Sequence, residues 1–383
     1  MTEDRAFANR VLEYLIEQLD IPDHYYELAR KRYESLADWL HRDDSAIVRF
    51  DPSVYPQGSF RYGTVIRPLS SKEEYDLDLV ATLTLLSKAE LSQIELKQLD
   101  GEEVRAFARA KGVKHPVEEK KRCWRLDYAD EVCFHMDILP AVPDDESFKR
   151  LLIQSGVSED QAEHALAITD KTHPAYTVVS DDWPRSNPKG YAIWFENRMR
   201  VVARKRQQAL VERRVYASVD EVPAYEWKTP LQRAIQILKR HRDVMFRDKP
   251  ELKPISIIIS TLSAMAYQGE EDLYSALSKI LDRMPGLVQK HEPRVPNPVN
   301  PAEDFADKWK SDARLEHSFH AWHAQASADM RNLADGMSAR ELTEQTKTSF
   351  DLSIPDDQCR VLTAGHDVGN SVPAKPTILI GSA

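Results

Sequence analysis

The stretch QGSFRYGTVIRPLSSKEEYDLDLVATL, residues 57–83, decides how this chain is read. Its second half is an apolar run, Tyr75, Leu77, Leu79 and Val80, interrupted by Asp76 and Asp78. In a strand, residues i and i+2 share a face. The run therefore predicts a strand with Leu77 and Leu79 turned to a core and both carboxylates turned outward. Like charges resist that arrangement, so something positive is expected between them. Hard divalent cations fit, because Mg2+ is commonly held by one or two carboxylates together with phosphate oxygens.

Working outward, Gly58-Ser59 supplies the other half of a phosphate site. Glycine lets backbone N–H groups come close to an anion, the serine hydroxyl adds a donor, and a helix start adds its dipole. On the other side, KRCWRLDYAD and EVCFHMDILPAV read as two strands joined by a short turn at residues 129–131. Val132, Phe134, Met136 and Ile138 then share one face, and Cys133, His135 and Asp137 the other. If this second strand lies beside the first, three acids converge. A two-metal site follows, with ions about 3.5–4 Å apart clamping the attacking and leaving oxygens of an in-line displacement.

The order Gly-Ser, Asp-x-Asp strand, third strand acid resembles the polymerase-β-like nucleotidyltransferase superfamily. The fuller wording is similar to the bacterial cGAS/DncV-like nucleotidyltransferases, the CD-NTases of anti-phage signalling. QGSFRYGTVIRP resembles their extended loop, and WPRSNPKGYAIWFE, KPISIIISTLSAMAY and RVPNPVNPAEDFADKW resemble stretches of their second lobe. The likeness runs over roughly residues 50–335. The gap from Ser59 to Asp76 is longer than the superfamily's compact pattern and matches the cyclic-dinucleotide branch.

The resemblance implies an α+β, bilobed fold with NTP held between a mixed α/β catalytic lobe and a helical lobe. It implies that Gly58 and Ser59 bind triphosphate, that Asp76, Asp78 and Asp137 hold two Mg2+ (or Mn2+), and that Asp137 helps deprotonate the attacking hydroxyl. Lys239 and Ser256 are the expected triphosphate contacts of the second lobe. The implied activity is joining NTPs, ATP among them, into a cyclic di- or trinucleotide with release of pyrophosphate, the product being read by a separate effector. The tail VGNSVPAKPTILIGSA ends in a β-forming run and small residues. In systems of this kind an E1–E2-like ligase conjugates the synthase's C-terminus, which makes Ala383 the expected acyl end.

The rest of the chain is consistent with that plan. Residues 6–42 carry apolar positions at helical spacing, with Pro22 and Asp23 opening a second helix. Strands and helices alternate through the middle, and the second half, including PLQRAIQILKRHRDVMF and ISIIISTLSAMAY, is mostly helical. The expected division is 1–45, helices packing on the catalytic core; 46–190, catalytic lobe; 191–345, helical lobe; and 346–383, a tail. Within the helical part Lys239 points away from Ile235, Leu238 and Met245, which also suits a solvated lysine. Ser256 also suits a helix cap. The stripe Tyr191, Trp194 and Phe195 reads as core, with base stacking as the alternative. His317, His320 and His323 lack the ligand set that zinc wants.

Composition bounds the partners. The net charge is −10 over 383 residues, which argues against a surface built for nucleic acid. The densest basic run, Arg198–Arg214, has only a thin apolar stripe and reads as a solvated helix face. No apolar run approaches the ~20 residues of a membrane span, and the N-terminus lacks a secretion signal. The three cysteines show no paired spacing, so the cytoplasm is expected. The alternatives are a nucleotidyltransferase making linear products or modifying RNA, a protein or a small molecule, and a non-catalytic binding module.

Overall fold

The computed structural model describes residues 3–70, 74–128, 134–212, 227–335 and 337–363. Two helices come first, α1 (Glu3–Leu19) and α2 (Asp23–Leu40), with Pro22 at the N-cap of the second. The signature stretch then forms β1 (Pro52–Pro56), the short helix α3 (Gly58–Tyr62) and β2 (Tyr75–Leu83). After α4 (Gln93–Ala110), closed at its start by the Ser92/Glu95 capping box, come β3 (Glu118–Glu119), β4 (Trp124–Tyr128) and β5 (Phe134–Pro143). Two short helices, α5 (Glu146–Gln154) and α6 (Glu159–Ala162), precede the small strands β6 (Leu166–Ile168) and β7 (Arg185–Ser186).

The sheet order is β1-β2-β5-β4-β3, with β6 on the far end of β5 and β7 beside it. The pairing of β2 with β5 is parallel, and β4 with β5 antiparallel. The two predicted strands of the hairpin are thus present, while its turn, residues 129–133, lies outside the described residues.

Alternation along the strands sorts the side chains as expected. Leu77, Leu79, Ala81, Phe134, Met136 and Ile138 point to one face and pack with Leu36, Leu40, Leu96, Val104 and Phe107 of α2 and α4. Each such large apolar side chain contributes roughly 1.5–3 kcal/mol on burial. The opposite face holds a small cluster of Val80, Leu139, Ala141, Leu166 and Ile168 at one end. The acids occupy the other end of that face.

The second half is helical: α7 (Pro188–Glu212), α8 (Pro230–Met245), α9 (Ser256–Ala266), α10 (Leu273–Arg283), α11 (Ala313–Ala334), α12 (Ala339–Phe350) and α13 (Asp356–Thr363), with a small hairpin of β8 (Pro296–Asn297) and β9 (Asn300–Asp304). Their apolar faces form a second core. α1 joins this helical core through Phe7, Val11, Leu12 and Leu15, whereas α2 joins the sheet core through Ala29, Leu36 and Leu40. The two N-terminal helices thus pack on different cores, α2 on the sheet and α1 on the helices.

Helical structure continues past residue 346 through α12 and α13. α13 buries Cys359 and Leu362, and Arg10 of α1 donates to the Leu362 carbonyl at 3.4 Å. Among the described residues no helix is long and apolar enough to cross a membrane.

Candidate active site

Three adjacent strands bring their polar residues into two rows. Asp76 of β2 lies opposite His135 of β5, which lies opposite Asp127 of β4; in the next row stand Asp78, Asp137 and Arg125. All six side chains occupy the face away from the α2/α4 core, because strand side chains alternate. The three acids singled out from the sequence therefore do converge, two on one strand and one on its parallel neighbour.

The electrostatics of the rows differ. Arg125 forms a forked pair with Asp137, 2.7 Å to Oδ1 and 2.6 Å to Oδ2, and reaches Asp76 at 3.8 Å. His135 bonds Asp76 through Nε2 and Glu74 through Nδ1, the latter at 3.0 Å. Burial works against charge on this imidazole, but the two carboxylates prevail and raise it to about 8. Burial likewise opposes the Asp76 carboxylate, yet the His135 hydrogen bond holds it below its ordinary value.

Asp78 has no such partner. Burial first, then the charges of Asp76 and Asp137, push it up to about 7. A carboxylate that cannot ionise normally between two others is the position a divalent cation would relieve. A divalent cation beside Asp76, Asp78 and Asp137 would relieve that field. Among the described residues, the acids and histidine whose ligand atoms all lie within 4.8 Å of one another are Glu74, Asp127 and His135.

The Gly-Ser turn is docked onto this array by backbone. Gln57 N–H donates to the Asp78 carbonyl at 2.8 Å, at the start of α3. Gly58 has φ +65, the left-handed region that only glycine enters at little cost. Thr64 N–H then returns to the Ser59 carbonyl at 2.9 Å. Behind the turn, the Tyr62 ring packs on Tyr191 and Phe195 at centroid distances of 5.2 and 5.4 Å. Tyr191 and Phe195 are buried, so that part of the stripe is core.

Two second-lobe residues stand differently from expectation. Lys239 is buried rather than solvated, and its Nζ donates to the Thr64 carbonyl at 2.9 Å. Burial, aided by Arg242, pushes it down to about 7. Ser256 does not cap α9: Ile255 holds the N-cap position, and the Ser256 hydroxyl instead accepts from Arg242 at 2.8 Å. In the basic run Arg198, Arg200, Arg204 and Lys205 are exposed, as expected of a solvated face. Arg198 donates to the carbonyls of Ala264, Met265 and Tyr267 and so closes the C-terminal end of α9.

Sequence reasoning missed Arg125, Gln232, Gln236 and Arg240. Arg125 depends on the observed register of β4 against β5, which sets it opposite Asp137. The other three share one face with Lys239 at i, i+4 and i+8 of α8, a polar stripe whose burial shows only in the folded chain.

Comparison with known proteins agrees with this geometry. Residues 52–140 match the family described as cyclic GMP-AMP synthase DncV-like, nucleotidyltransferase domain. The chain is 29% identical over 346 residues to a c-di-GMP synthase of Roseivirga ehrenbergii, covering 89% of this chain and 84% of that protein. It is 25% identical over 362 residues to the cyclic dinucleotide synthase CdnG of Bradyrhizobium diazoefficiens, covering 88% and 77%. The solved structure of that CD-NTase, CdnG in complex with GTP, superposes with a TM-score of 0.63 at 22% identity, over 93% of this chain and 97% of the other. By fold, acid array and these likenesses together, the chain is similar to the DncV-like nucleotidyltransferases, the CD-NTases.

Proposed function

We propose that the protein joins nucleoside triphosphates into a cyclic dinucleotide, releasing pyrophosphate at each step. The observation that carries this reading is the register of Asp78 against Asp137 on parallel strands, with the Gly58–Ser59 turn bonded to the Asp78 backbone. That arrangement supports a reading in which triphosphate donors and metal ligands share one surface. The relatives named for c-di-GMP and cyclic dinucleotide synthesis support two nucleotides in the ring and bring GTP in beside ATP.

Asp76, Asp78 and Asp137 would hold two Mg2+ or Mn2+ ions, which when bound neutralise phosphate charge and acidify the attacking hydroxyl. The chain's own part is positioning. Gly58 and Ser59 hold the triphosphate, Lys239 and Ser256 contribute from the helical side, and Asp137 accepts the hydroxyl proton. The hydroxyl oxygen bonds to the α-phosphorus, the α–β bridge breaks, and pyrophosphate leaves. Repeating the step on the linear product closes the ring.

The wider setting belongs to the same proposal: cytoplasmic anti-phage signalling, a separate effector for the product, and an E1–E2-like ligase acting on Ala383. Ala383 and the run before it lie outside the described residues, so the sequence alone supports that part.

The test is incubation with all four NTPs and Mg2+, phosphatase treatment, and mass spectrometry of what survives. A cyclic product keeps no terminal phosphate and resists the treatment, and Asp76→Ala with Asp78→Ala should make none. A phosphatase-sensitive product would give the linear alternative, and no NTP consumption would reject the reading.

A further inference from the structure

The loop that follows the Gly-Ser turn is held by side chains of a single helix. Gln232 Nε2 of α8 donates to the Tyr62 carbonyl at 2.9 Å, Gln236 Nε2 to Val65 at 2.7 Å, Lys239 Nζ to Thr64 at 2.9 Å, and an Arg240 Nη2 to Arg67 at 2.6 Å. These donors fall at i, i+4, i+7 and i+8, one face of the helix. All are buried. Backbone carbonyls of a loop are ordinarily satisfied by water or by the loop itself. Here, among the described residues, the helical half of the molecule satisfies the carbonyls of Tyr62, Thr64, Val65 and Arg67, just after the Gly-Ser turn.

The contact is shaped as well as polar. A β-carbon on Gly63 would meet Gln232 Nε2 at 2.6 Å, so glycine is what lets the amide reach the Tyr62 carbonyl. Gln232 also completes the capping box of α8, its Oε1 accepting from Thr229 N–H at 2.8 Å. One amide thus fixes where α8 starts and where the loop lies. Gln236 adds Asp20 at 3.1 Å, and Arg67 returns to the Asp20 carbonyl at 2.6 Å, so the end of α1 is tied into the same seam.

We infer that Gln232, Gln236 and Arg240 are positioning residues that set the Gly58–Ser59 turn at the right height over Asp78 for a nucleoside triphosphate. This rests on the nucleotidyltransferase reading above. The loop reaches the acids through two backbone bonds, Thr64 to Ser59 at 2.9 Å and Gln57 to Asp78 at 2.8 Å. A shift of the loop carbonyls therefore moves the Ser59 end of the turn. The consequence is selective: phosphate recognition suffers, while contacts to base and ribose elsewhere in the cleft do not.

Gln232→Glu is the sharpest test. It retains the acceptor that caps α8 and replaces only the N–H2 that faces Tyr62 by an oxygen. Arg240→Met removes a second donor, and Arg240→Lys restores one. For the full chain with Mg2+, affinities for an α,β-methylene GTP analogue and for GMP are measured beside the melting temperature. Gln232→Glu and Arg240→Met should each weaken the triphosphate analogue about tenfold, as expected of a lost buried bond, and leave GMP within about twofold. Arg240→Lys should recover most of the triphosphate affinity. Equal weakening of both nucleotides, or of neither, would show the seam to be packing only and overturn the inference. If the wild type binds both nucleotides as expected but forms no product from any NTP, the proposed function fails while the seam remains measurable.

Discussion

A β-carbon on Gly58 would stand 2.4 Å from Oδ2 of Asp78, closer than such atoms approach. The turn and the acid are therefore closely apposed, and a side chain here, at φ +65, would have to displace the carboxylate. Gly58→Ala should lower kcat/KM for NTP by about a hundredfold, the scale of a 1 Å misplacement at a reacting centre. Steady-state turnover of the variant checks this. Turnover near that of wild type would mean that the Asp78 carboxylate can move freely.

Asp78 gives a pH signature of its own. Its folded value near 7 lies above the ordinary 3.8, so between these the native state binds more protons than the unfolded state. Its contribution to stability is complete below about pH 4 and is lost as pH rises through 7. In EDTA, Asp78→Asn should thus melt above wild type at pH 8, and the advantage should shrink by pH 5. Mg2+ added at pH 8 should raise the wild type more than the variant. Thermal melts in the two buffers decide it, and an Asn variant melting below wild type at pH 8 in EDTA contradicts the assignment.

Arg125 competes with any cation for Asp137. Both carboxylate oxygens accept from the guanidinium, at 2.7 and 2.6 Å. Arg125→Gln should free those oxygens and leave the array more negative. The Mg2+ concentration for half-maximal activity should fall severalfold, while stability in EDTA falls by about 1–3 kcal/mol for the unpaired acid. A metal titration of activity with a parallel melt tests both. An unchanged Mg2+ requirement would place the ions away from Asp137.

Lys239 predicts the opposite pH trend to Asp78. The unfolded chain keeps this proton to about 10.5, whereas burial releases it near 7 in the folded state. Between those values the unfolded state binds more protons, so this lysine makes the protein more stable as pH rises from 7 to 10. Lys239→Met should flatten that rise. It should also raise the KM for NTP more than it lowers kcat, because the Thr64 carbonyl that it holds belongs to the phosphate loop. Melts at pH 7 and 9.5 for both proteins are sufficient.

Much of the site was legible because its signals are local. Asp76 and Asp78 declare a strand and its exposed face within a few residues, and Gly58-Ser59 declares a turn. What escaped depends on register and on distance along the chain. A turn centred on residue 130 sets Cys123 against Asp137, but the observed register sets Arg125 there. That offset of two residues decides whether the third acid meets a thiol or a guanidinium. The α8 seam was hidden for another reason. Gln232, Gln236 and Arg240 look like the solvated side of an amphipathic helix until the loop carbonyls that they serve, roughly 170 positions earlier, are folded against them. Burial of polar residues follows from their partners, and the partners here are backbone groups, which carry no side-chain signature.

The allocation of α1 to the helical core bears on how the protein is made. At about 5–20 residues per second, synthesis leaves the stripe Phe7, Val11, Leu12 and Leu15 without its full packing surface of α8, α10 and α11 until the ribosome has passed Ala334. For something on the order of ten seconds or more, this apolar face is exposed on the nascent chain while the sheet core beside it can already close. The catalytic half therefore emerges able to fold first, and the helical half cannot close until the opening helix comes back to it.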